Sequence, residues 1–517
     1  MSTNSESVVT PPTGGGVAEL NPRRWLALAV IAVAQLMVIL DASIVNIALP
    51  SAQHDLNISD ADRQWVITAY ALTFGGLLLL GGRIADYVGR KKIFIVGLIG
   101  FAAASALGGA ANTQELLFAA RALQGAFAAL LAPAALSLIT VTFTEPKERA
   151  SAFGVYGAVS GGGAAIGLIL GGLLTEYASW RWCLLVNIPF GIVTALAALP
   201  VVKESKAHGN TKYDIPGAVL VTGGLMAIVY GFTEAAKPEN GWSGSTTLSL
   251  LIGGLVLLAA FVVVELRSAN PLLPVRVVWN RNRGGSFLAS LLASAGLFAM
   301  FLFLVYYFQQ NLGYGAVKSG VAFLPFTAGI IFSAGAASAL LPRVGPKPLM
   351  LLGTALGAVG MAYLVRLDLD SSYAAVSLPS QLLISVGLGL AFVSWSDLAL
   401  HGVAEHDAGV ASALVNTTQQ IGQALGIALL NTLYASKVTD YVGEHLKAGA
   451  NPADVMNLAT IEGYHRAFLV GSIFVAAAFV AIAVLLKIDR TELARPEGAA
   501  VPVESGENAT GKTVNAV

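Results

Sequence analysis

Fourteen long, apolar and almost uncharged stretches dictate what this 517-residue chain can become. They fall at about 25–50, 65–82, 93–111, 116–142, 151–174, 182–202, 215–233, 246–264, 284–308, 319–341, 349–365, 374–400, 408–434 and 467–486. A helix rises ~1.5 Å per residue, so roughly 20 apolar residues cross a ~30 Å hydrocarbon layer. Most of the runs reach that length, and 349–365 is the shortest-looking of them. Barrel strands would be about ten residues long with alternating polarity, a pattern the sequence lacks. Apolar residues make up 56% of the chain and charged ones only 12%, too few to cover a water-soluble surface. We therefore expect an all-α polytopic membrane protein with 14 transmembrane helices. The first run follows Arg23 and Arg24 as a signal peptide would, but its length and the runs after it mark it as a retained span.

Charge placement orients the spans. Of 60 acidic and basic side chains, only Asp41, Arg121 and Asp397 fall inside the runs. An even span count puts both termini on one side. With that side inside, the inner segments carry 21 of the 30 Lys and Arg residues and the outer loops 8. This asymmetry places both termini in the cytoplasm. Trp25 and Trp279 fall at inner boundaries, and Trp65, Trp180, Trp182 and Trp242 at outer ones, where an aromatic belt lies. Residues 1–22 and 491–517 are polar and read as disordered cytoplasmic ends.

Several function classes fall away. The formal net charge is zero, which argues against a nucleic-acid partner. The lone cysteine, Cys183, excludes an intrachain disulfide and reads as a small buried apolar residue. Gly506 to Thr513 spells a phosphate-loop pattern, but no strand–helix frame surrounds it, so we discount it. Asn57-Ile58-Ser59 matches a glycosylation acceptor without a context that supports one. His401 and His406 sit at an inner helix end and read as solvated. With no nucleophile–base set and no metal cluster in the spans, we expect neither an enzyme nor a metal or other cofactor.

The intramembrane charges carry the chemistry. A carboxylate in hydrocarbon costs about 2.5–3.5 kcal/mol on the gentlest scale, so Asp41 should face protein or water. Asp41 lies eight residues, roughly 12 Å, from the outer end of span 1, and Arg121 roughly 9 Å from the outer end of span 4. Sharing a depth, the two can meet. Burial disfavours the ionised acid and a guanidinium favours it, so a cavity opening around the pair changes which effect wins. Such a carboxyl can carry a proton; the plainer role is a structural ion pair. Asp397, near the inner end of span 12, is either a carboxylate reached by water or a second cation site. Gln124, Asn416 and Gln420 are candidates for a polar substrate-cavity wall, with interhelical hydrogen bonding as their other use. Gly163, Gly167 and Gly171 repeat every fourth residue along span 5, the pattern of a close helix-packing face.

Four motifs then stand in order. Gly82-Arg83-Ile84-Ala85-Asp86-Tyr87-Val88-Gly89-Arg90-Lys91-Lys92 resembles the signature loop of the major facilitator superfamily. Leu40-Asp41-Ala42-Ser43-Ile44-Val45-Asn46-Ile47-Ala48-Leu49-Pro50 is similar to the span 1 motif of its drug:proton antiporters, and Arg121-Ala122-Leu123-Gln124-Gly125 to their span 4 motif. Trp180-Arg181-Trp182, Asn187-Ile188-Pro189 and Tyr307-Phe308-Gln309-Gln310, with fourteen spans, resemble the fourteen-span branch. The chain departs from that pattern at Tyr87, usually basic; at Gly167-Leu168, where Gly-Pro is usual; and at Gln419, often Arg.

The resemblance implies two six-helix halves, at 23–204 and 281–490, with two inserted helices at 205–280. Arg343, Gly345 and Lys347 echo the signature loop in the second half. It also implies a gating loop, with Gly82, Asp86, Gly89 and Arg90, whose acid lies against the other half. The expected activity is proton-coupled export of amphipathic small molecules such as antibiotics, dyes or quaternary ammonium compounds, by a monomer in the bacterial plasma membrane, among its lipids. Asp41 and Arg121 would couple the proton gradient to transport. A lipid or envelope-precursor translocator could share this architecture.

Overall fold

A computed structural model of the chain describes residues 23–206, 214–268, 271–273, 275–400, 403, 408–447 and 451–487. The two expected terminal tails, the Gly506–Thr513 pattern, His401 and His406 lie outside the described residues.

The apolar runs are helices: α1 Arg24–Asp55, α2 Trp65–Val88, α3 Arg90–Gly109, α4 Gln114–Thr142, α5 Pro146–Tyr177, α6 Trp182–Val201, α7 Ile215–Ala235 and α8 Ser245–Arg267. After them come α9 Arg281–Asn311, α10 Ala316–Val344, α11 Pro346–Leu364, α12 Tyr373–Ala399, α13 Ala408–Lys447 and α14 Pro452–Leu485. Thirteen of these are long and apolar enough to span a membrane. The fourteenth is α13, whose Asn416-Thr417-Thr418-Gln419-Gln420 run dilutes its apolarity although it is 40 residues long. The short run 349–365 is a full helix, α11. No strand occurs among the described residues.

Local chemistry sets the ends. Thr113, Asp214, Asn280 and Asn451 each accept a hydrogen bond from a first-turn N–H of α4, α7, α9 and α14, satisfying donors that a helix start leaves open. Proline opens α5, α7, α11 and α14, where its missing N–H costs nothing. Past the apolar runs, α13 and α14 continue as helix, so Lys437, Lys447 and Arg466 lie on helical extensions instead of in a loop. Trp180 is not at a lipid boundary: it is buried, and its Nε1 donates to Asp55 Oδ2 at 3.0 Å.

Close helix contacts fall where side chains are absent, as expected where packing has little hydrophobic help. A Cβ on Gly81 would lie 2.0 Å from Ala129 O, and one on Gly125 2.3 Å from Tyr70 O, so α2 and α4 touch backbone to backbone. Gly163, Gly167 and Gly171 face α1, at Ile39, Ser43 and Ile44. Gly422 and Gly426 press α13 against Leu291 O and Ala295 O of α9. The signature motif's Gly82 is looser, with Pro133 at 3.4 Å from its Cβ position. Gly81→Val should therefore abolish the monodisperse peak in detergent size exclusion, while Gly82→Ala should elute like the parent. Overpacking costs typically 1–3 kcal/mol, more against backbone.

The second-to-third-helix turn is built the same way in each half. Gly89 (φ 133°) joins α2 to α3, and Gly345 (φ 77°) joins α10 to α11, conformations that exact a penalty from any Cβ. Two residues on, Lys91 Nζ donates to Leu199 O of α6 at 2.6 Å, and Lys347 Nζ to Leu486 O just past α14 at 2.6 Å. Both lysines serve helix C-terminal carbonyls. The two inserted helices stand outside the halves. α7 bridges their seam: Gln64 Nε2 donates to Thr233 Oγ1 at 2.9 Å, and Thr432 Oγ1 to Phe232 O at 2.8 Å. α8 lies beyond it with Ile252, Leu255 and Val262 exposed.

Candidate functional site

The polar centre of the first half begins with Asp41, wholly buried on α1. Arg121 Nη1 of α4 donates to Asp41 Oδ2 at 2.5 Å. The other oxygen, Oδ1, accepts from Gln124 Nε2 and from Asn187 Nδ2 of α6, both at 2.9 Å. Ser105 Oγ of α3 accepts from Gln124 (2.9 Å) and Asn187 (3.0 Å) and donates to Leu184 O at 2.8 Å. Arg121 also donates from Nη1 to Gln124 Oε1 at 2.8 Å and from Nε to Val66 O at 2.9 Å, with its Cζ 4.7 Å from the Tyr70 ring centroid. Five helices thus meet at one acid.

The shared depth of Asp41 and Arg121 leads to contact, as their spacing requires. Gln124 does not line an open wall: it is fully buried between Asp41, Arg121 and Ser105. Ser105 and Asn187 were not singled out as ligands, yet the sequence holds a signal. Ser105 is the only hydrogen-bonding side chain in its run, and Asn187 is the only amide in its own. A net-neutral ion pair with both carboxylate oxygens hydrogen-bonded is what a low-dielectric interior tolerates. Adding a proton to Asp41 would remove the charge–charge attraction and leave Arg121 cationic on Val66 O, Gln124 and Tyr70.

The remaining candidates separate. Asn416 is exposed on α13, with its Nδ2 reaching only Ser412 O of its own helix. Asn46 Nδ2 likewise reaches Ala42 O, and Ala42 is exposed on α1. Asp397 is exposed near the end of α12. Gln420 instead packs at the seam between halves, where its Cβ sits 2.9 Å from a Cβ placed on Gly75 of α2.

At the signature-loop end, Arg90 Nε donates to Asp86 Oδ1 at 2.8 Å, so the expected gating acid pairs within its own loop. A residue absent from the motif holds the turn. The Glu204 carboxylate accepts from Lys91 N (3.1 Å) and Lys92 N (3.2 Å) at the start of α3, and a Cβ on Gly89 would meet it at 2.9 Å. An anion at a helix N-terminus is favoured by the backbone dipoles. Glu204→Ala should cost about 0.5–2 kcal/mol, the usual worth of a lost N-terminal cap, read as a lower detergent melting temperature; Glu204→Gln should recover part of it.

The opposite end is closed across the halves. Gln309 Nε2 of α9 donates to Ile47 O of α1 at 3.1 Å, and Tyr306 hydrogen-bonds to Gln53. Asn431 Nδ2 of α13 donates to Asp60 O at 2.7 Å, and Val317 N of α10 to Glu176 Oε2 of α5 at 2.8 Å. A Cβ on Gly172 would come within 2.7 Å of Val317 Cα. Ala42 of α1 and Asn416 of α13 are exposed, and these contacts between the halves all lie at the end away from the signature loop.

Comparisons with known proteins bear on the chain as a whole. A family model described as Major Facilitator Superfamily matches residues 31–427. The chain is 50% identical to a puromycin resistance protein of Streptomyces alboniger, over 93% of this chain and 94% of that one. It is 40% identical to a cephamycin export protein of Amycolatopsis lactamdurans, over 79% and 85%. Among solved structures, an inward-facing bacterial homologue of the human lysosomal transporter Spinster superposes with a TM-score of 0.63 at 15% identity, over 90% of this chain and 97% of that one.

Proposed function

Because the chain belongs to the major facilitator superfamily, and is a multi-pass membrane transporter and not an enzyme, we propose that it exports antibiotic-like amphipathic small molecules in exchange for protons. Asp41 is the proton carrier in this reading. The protein works in a bacterial plasma membrane with both termini in the cytoplasm, so the sealed end faces outward and the signature loop inward. The relatives named for puromycin and cephamycin support the cargo class. The single observation that carries the proton is Asp41, an acid on a helix whose outer part also touches the other half.

The cycle follows from those contacts. In this reading the cycle starts with Asp41 paired to Arg121 and a chamber between the halves open inward, where Asn416 and Asn46 would offer polar walls to a cargo. When the outer contacts at Ile47 and Gln53 part, α1 moves relative to α9 and the Asp41 pocket opens to the outer side. A proton taken there removes the Asp41–Arg121 charge attraction. Cargo leaves outward, the halves close again outside, and the proton is released inward. Proton and cargo then disfavour each other reciprocally through one conformational equilibrium. The membrane potential adds about 2.3 kcal/mol per 100 mV for each net charge moved.

Proteoliposomes loaded with acid buffer and diluted into alkaline buffer test this. Radiolabelled puromycin should accumulate inside as protons leave, and nigericin should abolish the accumulation. Equal uptake with and without the gradient would refute proton exchange; no uptake by protein that binds the drug would refute the cargo.

A further inference from the structure

The sealed end holds a cation that the proton cycle does not use. Arg63 belongs to the first half, just before α2, yet its guanidinium is 1% exposed among side chains of the second half. Its Cζ lies 4.1 Å from the Tyr306 ring centroid on α9 and 4.7 Å from that of Tyr434 on α13. Tyr464 of α14 backs Tyr434 with centroids 5.2 Å apart, and Phe303 of α9 sits 5.5 Å from Tyr434. Arg63 Nε donates to Asn431 Oδ1 at 3.1 Å, Nη1 reaches the exposed Asp60 at 3.4 Å, and buried Nη2 has no hydrogen-bond partner. Ring faces, more than acceptors, hold this cation.

The cage comes from one half and its occupant from the other. A guanidinium is weakly hydrated and suits aromatic faces, and quaternary ammonium ions are recognised by the same kind of cage. When the outer end opens, Arg63 departs with α2, while Tyr306, Tyr434, Tyr464 and Asn431 remain together facing the chamber. We propose that this aromatic cage is an exit-side site for organic cations, filled by Arg63 while the outer end is sealed and taken by a cationic cargo once it opens. The inference rests on the alternating-access export reading above. It adds an order of events: a cation in the cage keeps Arg63 out, so the outer end reseals only after release.

Equilibrium binding of ethidium to the purified chain in detergent, followed by fluorescence anisotropy, tests the cage without any gradient. Arg63→Gln vacates the cage and should tighten ethidium binding roughly tenfold, within the range of a desolvated cation–π contact. Adding Tyr434→Leu should return the affinity to that of the parent; adding Tyr434→Phe should keep the gain. Neutral Nile red should bind all four proteins alike. If Arg63→Gln with and without Tyr434→Leu bind ethidium equally, the cage serves Arg63 alone and the proposal falls. Should Arg63→Gln fail to fold, ethidium transport by Tyr434→Leu and Tyr434→Phe decides: a raised KM confined to the leucine variant supports the site, and equal KM values overturn it. Lost gradient-driven puromycin uptake with ring-dependent ethidium binding intact would strike the export reading and spare the cage.

Discussion

Replacing Arg121 with methionine should be among the most damaging single changes in the first half, lowering stability by about 3–5 kcal/mol, the usual effect of removing one partner from a buried pair. The substitution leaves Asp41 wholly buried with only the Gln124 and Asn187 amides facing it, and withdraws the donor that ties α4 to Val66 O. Thermal unfolding in detergent should show a large drop in midpoint. Asp41→Asn in the same chain should recover much of it, because the stranded charge disappears. If Arg121→Met melts with the parent, the pair contributes little to holding the half together. If the double variant is no better than Arg121→Met, the loss comes from the Val66 and Tyr70 contacts and not from the unpaired acid.

Asp41→Asn alone should also cost stability, because it leaves the buried Arg121 without its counter-charge, and its effect on coupling should be complete. Arg121 keeps Val66 O, Gln124 Oε1 and the Tyr70 ring, and an asparagine oxygen can still accept from it. A side chain that cannot bind a proton cannot exchange one, so gradient-driven puromycin accumulation should fall to the level of empty vesicles. Substrate–substrate exchange across the same membrane should persist and lose its dependence on pH. Accumulation that survives in Asp41→Asn moves the carrier elsewhere. Loss of exchange as well would make Asp41 a structural acid.

How far the sequence reaches depends on what kind of contact makes the structure. Spans were legible because hydrocarbon imposes length and apolarity on each helix separately, and α13 was read at 408–434 despite its polar Asn416-Thr417-Thr418-Gln419-Gln420 run. Asp41 and Arg121 could be paired from depth alone. Gln124 was harder to place: depth and helix face suit a cavity wall as well as a buried network, and only the approach of Ser105 and Asn187 decides between them. Gly81 shows the same limit, because its neighbour Gly82 carries the motif while the contact with Ala129 O depends on how α2 and α4 cross. Glu204 and Arg63 were invisible for a third reason. Both lie outside the apolar runs, where Arg63 counts only towards topology and Glu204 does not enter that count, and each acts on a partner more than a hundred residues away.

The bridging position of α7 makes the molecule lopsided towards the bilayer. A two-half transporter has two flanking doorways through which a greasy cargo could slip in sideways from the lipid leaflet. Here the one beside α2 and α13 is walled over by α7, through Thr222, Phe232 and Thr233. Among the described residues, no helix covers the other, between α5 and α10, and Val155, Ile331 and Phe332 are exposed on those two helices. Any cargo recruited from the membrane would have to arrive from that flank.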